Sequence, residues 1–408
     1  MAYEALLSDR RQSSAGRDAW PPKRAAILGN FPPRVCGIAT FTRDLLAGLS
    51  QASTETDWVV VAMNDRTEAY DYPDQVRHVV AQDDANQFIT TAEAINRSGA
   101  EIAFVQHEFG IFGGPAGEHL LLLLRRLRMP VVVTMHTVLE HPDPDQRRVT
   151  DEILANAAAV LVMAEKGAVL LERVYGGRCE MIHVIPHGAP SRPFRPTRPF
   201  KARLGFTDRK TLTTFGLLSP NKGLETVIEA LPHIAGRHPD VLYLIAGATH
   251  PHLLQREGER YREYLVGLVD RLRVSQNVQF INRFVDDDEL IALLQATDVY
   301  VTPYLTETQI TSGTLSYAIA LGRPIVSTPY WHAAEALADN LGVLCGFRDG
   351  LCFAREIESL LGDDVRREAM SRRTWEAGIR SRWSNVGKAY MDIAASTLET
   401  RAEVGAFG

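Results

Sequence analysis

Nowhere does this 408-residue chain run apolar for the roughly 18 to 20 residues that a bilayer-spanning helix needs, so it is not an integral membrane protein. Its N-terminus also lacks the apolar core of a signal peptide. Cysteine is scarce: Cys36, Cys179, Cys345 and Cys352 stand far apart without metal-type spacing, and a reducing cytoplasm is the simplest setting. An excess of one charge is missing too, since 44 basic against 50 acidic residues leave a net −6. That balance offers no global attraction to nucleic acid or anionic lipid, so no nucleic-acid partner is expected and membrane contact is at most peripheral. The string "HTVLEHPDPD" (136–145) mixes His and acidic residues too irregularly for a metal site.

What is present describes a two-domain globular protein. At 408 residues the chain exceeds what one core usually supports, and its 45% hydrophobic content is that of an ordinary globular protein. Residues 1–20 are polar and unpatterned and read as a mobile tail. Short Val- and Ile-rich runs follow at 24–31, 58–63, 102–107, 131–136, 159–164 and 181–188, the composition of strands buried on both faces of a parallel sheet. Between the first two, Phe41, Leu45 and Leu49 recur with helical spacing. An α/β domain over 21–190 is therefore expected. A Pro- and Arg-rich linker (191–203) precedes a second doubly wound domain at 204–365, built on the runs 211–218, 242–247, 278–284, 298–304, 324–329 and 342–347. Two such domains in tandem predict a ligand cleft between the carboxyl ends of their strands.

The stretch "TPYLTETQITSGTLSYAIALGRPIVSTPY" (302–330) sets Thr311, Ser312, Gly313 and Thr314 between an apolar strand and a helix. Free N–H groups of a first helical turn, a glycine and several hydroxyls make an anion cradle; a helix cap alone would use the same residues. "TFGLLSPNKGLETVIEAL" (214–231) adds Lys222 at a second strand–helix turn, where it and the 312–314 turn would clamp a phosphate or diphosphate. In "VQHEFGIFGGPAGEH", His107 and Glu108 end a strand ahead of Gly110, Gly113 and Gly114. His107 reads either as a structural histidine or, with Glu108 and Gly110, as a contact to a ligand.

Taken together, "GNFPPRVCGIATFTRDL", "VVVTMH", "VIPHGAP", "FGLLSPNKG", "VLYLIAG", "SYAIALGRPIVSTP" and "RWSNVGKAYMDI" resemble, in order, the motifs of family 4 retaining glycosyltransferases of the GT-B fold. The resemblance covers about residue 24 to 395. It implies two Rossmann-like domains facing a central cleft, with helices at 366–400 returning to the first domain. It also implies metal-independent transfer of a hexose, GDP-mannose being the first guess as donor, to a sugar or lipid-linked acceptor, with no cofactor. By the family pattern Lys222 serves the donor phosphates and His136 the donor sugar; Gly37 lets the backbone approach donor phosphate or acceptor, and the packing of polar and glycine residues assigns His107, Glu108 and Gly110 to the acceptor side. The family's paired glutamates fall on Gln309 and Tyr317, and its phosphate-binding arginine on Leu217. Glu307 and Arg283 are the candidate replacements for the missing carboxylate and the missing cation. Tyr317 in the ribose position also admits a phosphorylase-like enzyme using a sugar phosphate, and loss of catalysis would leave a sugar- or nucleotide-binding regulatory protein.

Overall fold

The computed structural model describes residues 21–406, so the tail expected at 1–20 lies outside the described residues. The chain divides into two compact units. One comprises the residues up to Met163, Gly167–Ile185 and Val386 onward; the other comprises Ala164–Lys166 and Pro186–Asn385. Each is built on a parallel sheet with helices in the crossovers.

The first unit carries β1 (Arg24–Gly29), β2 (Asp57–Asn64), β3 (Val76–Ala81), β4 (Ile102–His107), β5 (Val131–Met135), β6 (Ala159–Val162) and β7 (Ile182–Val184). They lie in the order β3-β2-β1-β4-β5-β6-β7. All residues of β4, β5 and β6 are buried, which is why these strands read as unbroken apolar runs. The helix Gly37–Ala52 buries Phe41, Leu45 and Leu49, and Cys36 caps it by accepting from the Ala39 N–H. Strand β3 was not anticipated: it is an edge strand, and in "VRHVVA" half-buried and exposed residues alternate from Val76 to Val79 before the buried Val80.

The second unit orders β8 (Lys210–Phe215), β9 (Val241–Ala246), β10 (Val278–Ile281), β11 (Val299–Thr302), β12 (Ile325–Ser327) and β13 (Val343–Leu344) as β10-β9-β8-β11-β12-β13. Helix Leu224–Arg237 buries Val227, Ile228 and Leu231 against this sheet.

Two boundaries and one reading of the cysteines expected from sequence are corrected. The segment 191–203 is no free linker: Trp375 Nε1 donates to Arg192 O at 3.0 Å, and Lys201, in the helix Arg198–Leu204, pairs with Asp298. The helix Asp364–Ala377, expected to return to the first domain, belongs to the second, where Ser371 Oγ donates to Gly322 O. The chain rejoins the first unit from Val386, where Tyr390 and Thr134 share a 2.9 Å hydrogen bond and Gly387 packs on the Gly48 backbone. Lastly, Cys345 and Cys352 are not apart. The turn after β13 folds the start of helix Gly350–Gly362 back, the two Cα atoms lie 5.6 Å apart, and the sulfurs form a disulfide.

The Lys201–Asp298 pair anchors this unit from beneath. Its side chains are 10% and 5% exposed, and Asp298 Oδ2 also accepts from Thr211 N at 2.8 Å. Removing one partner strands the other charge. Asp298→Ala is expected to cost about 3 to 5 kcal/mol in urea unfolding, while an isosteric apolar exchange of both residues costs far less; equal losses in the single and double variants would contradict this.

Candidate active site

In a doubly wound sheet the binding crevice opens where neighbouring strands send their connections to opposite faces. In the second unit that reversal lies between β8 and β11, paired at Leu212–Val299 and Thr213–Tyr300. After β8, Pro220–Lys222 form one tight turn and Gly223 takes φ 59°. A Cβ on Gly223 would sit 2.3 Å from the Pro303 carbonyl oxygen, and Leu305 N donates to Asn221 O at 2.8 Å. Only glycine lets this loop dock on the segment that follows β11. Docking puts the Lys222 ammonium 3.8 Å from the centroid of the Tyr304 ring. The Tyr304 hydroxyl shares a 2.9 Å hydrogen bond with Thr314 Oγ1, in the first turn of helix Gly313–Ala320.

Ser312 caps that helix, its Oγ accepting from Leu315 N at 3.4 Å and lying 3.1 Å from Thr314 Oγ1. The cap engages the Leu315 N–H. The amides of Gly313 and Thr314, the first two residues, have no carbonyl one turn back to bond, which is what an anion needs. The cap therefore leaves those two amides open to an anion. Gly313 is also demanded by packing, because a Cβ there would approach His187 Nε2 to 2.8 Å. Burial pushes His187 down to about 4, and its Nδ1 bonds the Gly188 carbonyl oxygen. Burial, with His187 nearby, pushes His332 down to about 3, and its Nδ1 has no partner among the described residues. Both imidazoles are neutral near pH 7.

The remaining candidates scatter. Thr311 Oγ1 is buried without a partner among the described residues. Gln309 spends its Nε2 on Thr311 O at 2.8 Å, and its backbone carbonyl oxygen accepts from His332 N. Tyr317 is buried in the core beside Phe215, at 6.2 Å between ring centroids. Leu217 is half-buried in the loop after β8, and Glu307 is exposed in a turn whose carbonyl accepts from Trp331 N. Arg283 does not join the cradle: β9 separates its strand from β8, and its exposed guanidinium is paired with Glu289 at 2.6 Å.

In the first unit the reversal lies between β1 and β4. Gly37 opens the helix after β1, and neither it nor Gly110 would bring a Cβ within 4 Å of another atom, so their backbones stay approachable. Glu108, at the end of β4, accepts from Thr137 Oγ1 at 2.7 Å and from Phe109 N at 3.0 Å. Burial raises its carboxyl above the usual range, and these hydrogen bonds oppose the rise. His136 Nε2 lies 3.2 Å from Gln106 Oε1, with its ring edge-on to Phe41. His107 corrects its assignment as an acceptor contact. It is fully buried against Phe109 and Phe112, both ring nitrogens lack partners among the described residues, and burial pushes it down to about 3. Sequence reasoning missed Tyr304, His187, His332, Gln106 and Thr137; of these only Tyr304 carried a signal, as an aromatic at the mouth of a strand facing a turn lysine.

Residues 197–376 match the family described as "Glycosyl transferases group 1". A D-inositol 3-phosphate glycosyltransferase of Xylanimonas cellulosilytica is 28% identical over 320 residues, covering 73% of this chain and 73% of that one. A GDP-mannose-dependent monoacylated alpha-(1-6)-phosphatidylinositol monomannoside mannosyltransferase of Corynebacterium glutamicum is 24% identical over 381 residues, 89% of this chain and 94% of its own. Among solved structures, a sucrose-phosphate synthase from Thermosynechococcus elongatus superposes with TM-score 0.74 at 18% identity, over 93% of this chain and 100% of that one. Anabaena HepE in complex with UDP and glucose gives 0.71 at 16% identity, over 92% and 100%. The structural likenesses carry the fold: two Rossmann-like parallel-sheet domains of the GT-B kind.

Two outcomes follow from the crowding and the buried rings. Gly313→Ala should lower the melting temperature, and His187→Ala in the same chain should restore part of the loss by vacating the space; no rescue would mean that His187 is not the obstacle. Histidines held below their ordinary 6.5 cannot take up protons that the unfolded chain accepts. Stability should therefore be full above about pH 6.5 and fall below it, on the order of 2 kcal/mol per histidine by pH 5. His332→Gln should flatten that slope in urea titrations, and an unchanged slope would count against a neutral buried ring.

Proposed function

We propose that this chain, a glycosyltransferase with a group 1 domain on a GT-B fold, moves a hexose from a nucleoside-diphosphate sugar to a hydroxyl acceptor, with retention and without a metal ion. The observation that carries this reading is the Lys222 ammonium, which no carboxylate pairs among the described residues. It stands at the β8–β11 switch point beside a helix N-terminus. Such a site favours a group that becomes more negative as the reaction proceeds.

When the bond between the anomeric carbon and the phosphate oxygen breaks, its electron pair stays on the diphosphate and the sugar ring becomes cationic. Lys222 and the Gly313 and Thr314 amides stabilise the leaving group. The acceptor hydroxyl bonds to the anomeric carbon on the face the leaving group vacates, and its proton passes to the departing phosphate oxygen. Retention follows, and no protein nucleophile is required. His136, oriented by Gln106, is assigned to the donor sugar, Glu307 and Gln309 to its hydroxyls, and Glu108 to the acceptor.

Mannose is the first donor sugar to test. The Corynebacterium relative is named for GDP-mannose and a phosphatidylinositol monomannoside, and the Xylanimonas relative for D-inositol 3-phosphate. An inositol-type or lipid-linked acceptor is accordingly the first to assay. Among the described residues no helix is long and apolar enough to cross a membrane, so contact with a lipid-linked acceptor would be peripheral. A second reading, transfer from a sugar 1-phosphate, is favoured by the buried aromatic ring of Tyr317 at the position where the family places its ribose carboxylate.

The test is release of nucleotide from GDP-mannose and UDP-glucose with inositol phosphate as acceptor, alongside mannose 1-phosphate as donor. Lys222→Ala should lower kcat/KM by at least about a hundredfold, as loss of a charge contact to a developing anion does. Its melting temperature should stay near that of the unaltered protein, and activity should survive EDTA. Turnover of the sugar phosphate alone would select the second reading; wild-type rates in Lys222→Ala would remove the phosphate clamp.

A further inference from the structure

Lysine carries four rotatable bonds, and a cradle that depends on one ammonium must hold it still without neutralising it. A carboxylate would fix the ammonium but cancel its charge. An aromatic face attracts the ammonium through its quadrupole and leaves the charge available. The second unit has such a face in place. Tyr304 is 1% exposed, its ring lies under Lys222 at 3.8 Å, and Tyr330 stacks on it with centroids 5.3 Å apart and planes inclined by 20°. The ring is thus clamped, and its quadrupole is shielded from water.

The same side chain reaches the other half of the cradle. Its hydroxyl meets Thr314 Oγ1 at 2.9 Å, and Thr314 Oγ1 meets the capping Ser312 Oγ at 3.1 Å. One residue therefore touches both the cation and the first turn of the helix. The docking of Gly223 on Pro303 fixes the loop that carries Lys222 against the residue immediately before Tyr304. A small residue at position 304 would leave the ammonium no partner among the described residues.

We propose that Tyr304 is a positioning residue: its ring holds Lys222 charged and aimed at the anion site, and its hydroxyl sets the Thr314 side chain at the helix N-terminus. This rests on the reading of Lys222 as a phosphate contact. The ring and the hydroxyl have separable consequences. Tyr304→Phe keeps the ring and loses only the bond to Thr314. Tyr304→Leu loses both, and a fluorinated phenylalanine placed at position 304 keeps the shape while weakening the quadrupole.

The experiment measures GDP and UDP binding by calorimetry in the full chain. The variants are Lys222→Ala, Tyr304→Phe, Tyr304→Leu and the Lys222→Ala/Tyr304→Leu double, with a melting curve for each. The unaltered protein should bind at least one of the two nucleotides, and Lys222→Ala should lose most of that affinity. Tyr304→Leu should weaken binding about tenfold, the size of a shielded cation–π contact, whereas Tyr304→Phe should lose at most about threefold. In the Lys222→Ala background, Tyr304→Leu should cost nothing beyond the small loss of the Phe variant, because a residue acting through Lys222 has nothing left to act on.

Independent, multiplying losses would reduce Tyr304 to a packing residue and overturn the proposal, as would wild-type affinity in Tyr304→Leu. Should Tyr304→Leu fail to fold, the fluorinated side chain decides: unchanged nucleotide affinity overturns the proposal, and a severalfold loss supports it. Failure of the underlying reading looks different. The unaltered protein would then bind neither nucleotide, or Lys222→Ala would bind as well as it, and Tyr304 would lose its role together with Lys222.

Discussion

The seam between β8 and β11 decides where everything else in the second unit's site can be. It is held by side-chain hydroxyls as well as by the backbone ladder. Thr211 Oγ1 donates to Ala296 O at 2.6 Å, Thr213 and Thr297 share a 2.7 Å bond, and Thr214 Oγ1 donates to Val301 O at 2.5 Å. Asp298 adds its carboxylate to the Thr211 amide at the lower end. Each of these polar groups is buried, so a slip in register would leave several without partners, at a cost of about 1 to 3 kcal/mol apiece. The register is therefore fixed, and with it the height at which the loop carrying Lys222 leaves β8 and the segment carrying Tyr304 leaves β11. A site that depends on a 3.8 Å contact between those two exits needs a foundation that cannot slide.

Three cations of the unit, Lys201, Arg283 and Lys222, show two different arrangements. Lys201 meets Asp298 inside the fold, where an ammonium without a counter-charge would be intolerable, and the exposed Arg283 is matched by Glu289. Lys222 instead rests on a ring. The difference is one of purpose, because an ion pair cancels the field that an anionic ligand would feel, while a quadrupole and a helix terminus leave it intact. The neutral histidines beside the helix fit the same pattern. Burial keeps His187 and His332 uncharged, so the space near Gly313 is shaped by imidazole without adding a titrating charge near pH 7.

The sequence was most readable where burial was two-sided. The runs that became β4, β5 and β9 are apolar from end to end because both faces are covered, whereas β3, with one half-wet face at the edge, carried no such signal. Helical spacing located Phe41, Leu45 and Leu49 correctly for the same reason. The turn residues Lys222, Ser312 and Gly313 were legible because strand, turn and helix are local features. Their companions were not: Tyr304 reaches Lys222 and His187 reaches Gly313 only through sheet order and loop docking, which no local pattern encodes. His107 was misread because a histidine at a strand end looks alike whether it faces a ligand or, as here, two phenylalanines.

Donor recognition then follows from what fills the two positions where related enzymes keep carboxylates. Tyr317 lies in the core beside Phe215, so its position is given over to packing and carries no negative charge. Gln309 commits its side-chain amide nitrogen to Thr311 O and its backbone carbonyl to His332 N, which ties the segment before the helix to the helix Trp331–Ala336. Tyr317 offers no carboxylate to a diol, and Gln309 retains only its side-chain oxygen as an acceptor for a sugar hydroxyl. The phosphate side of the donor meets the opposite situation, with an uncancelled ammonium, two amides without intrahelical partners and the hydroxyls of Ser312 and Thr314 close together. Under the proposed reading, weight in recognition would shift from the sugar and ribose hydroxyls toward the phosphates. If Lys222 meets the donor phosphates as proposed, charge and its placement over the Tyr304 ring would be the feature that separates a donor from neutral sugars.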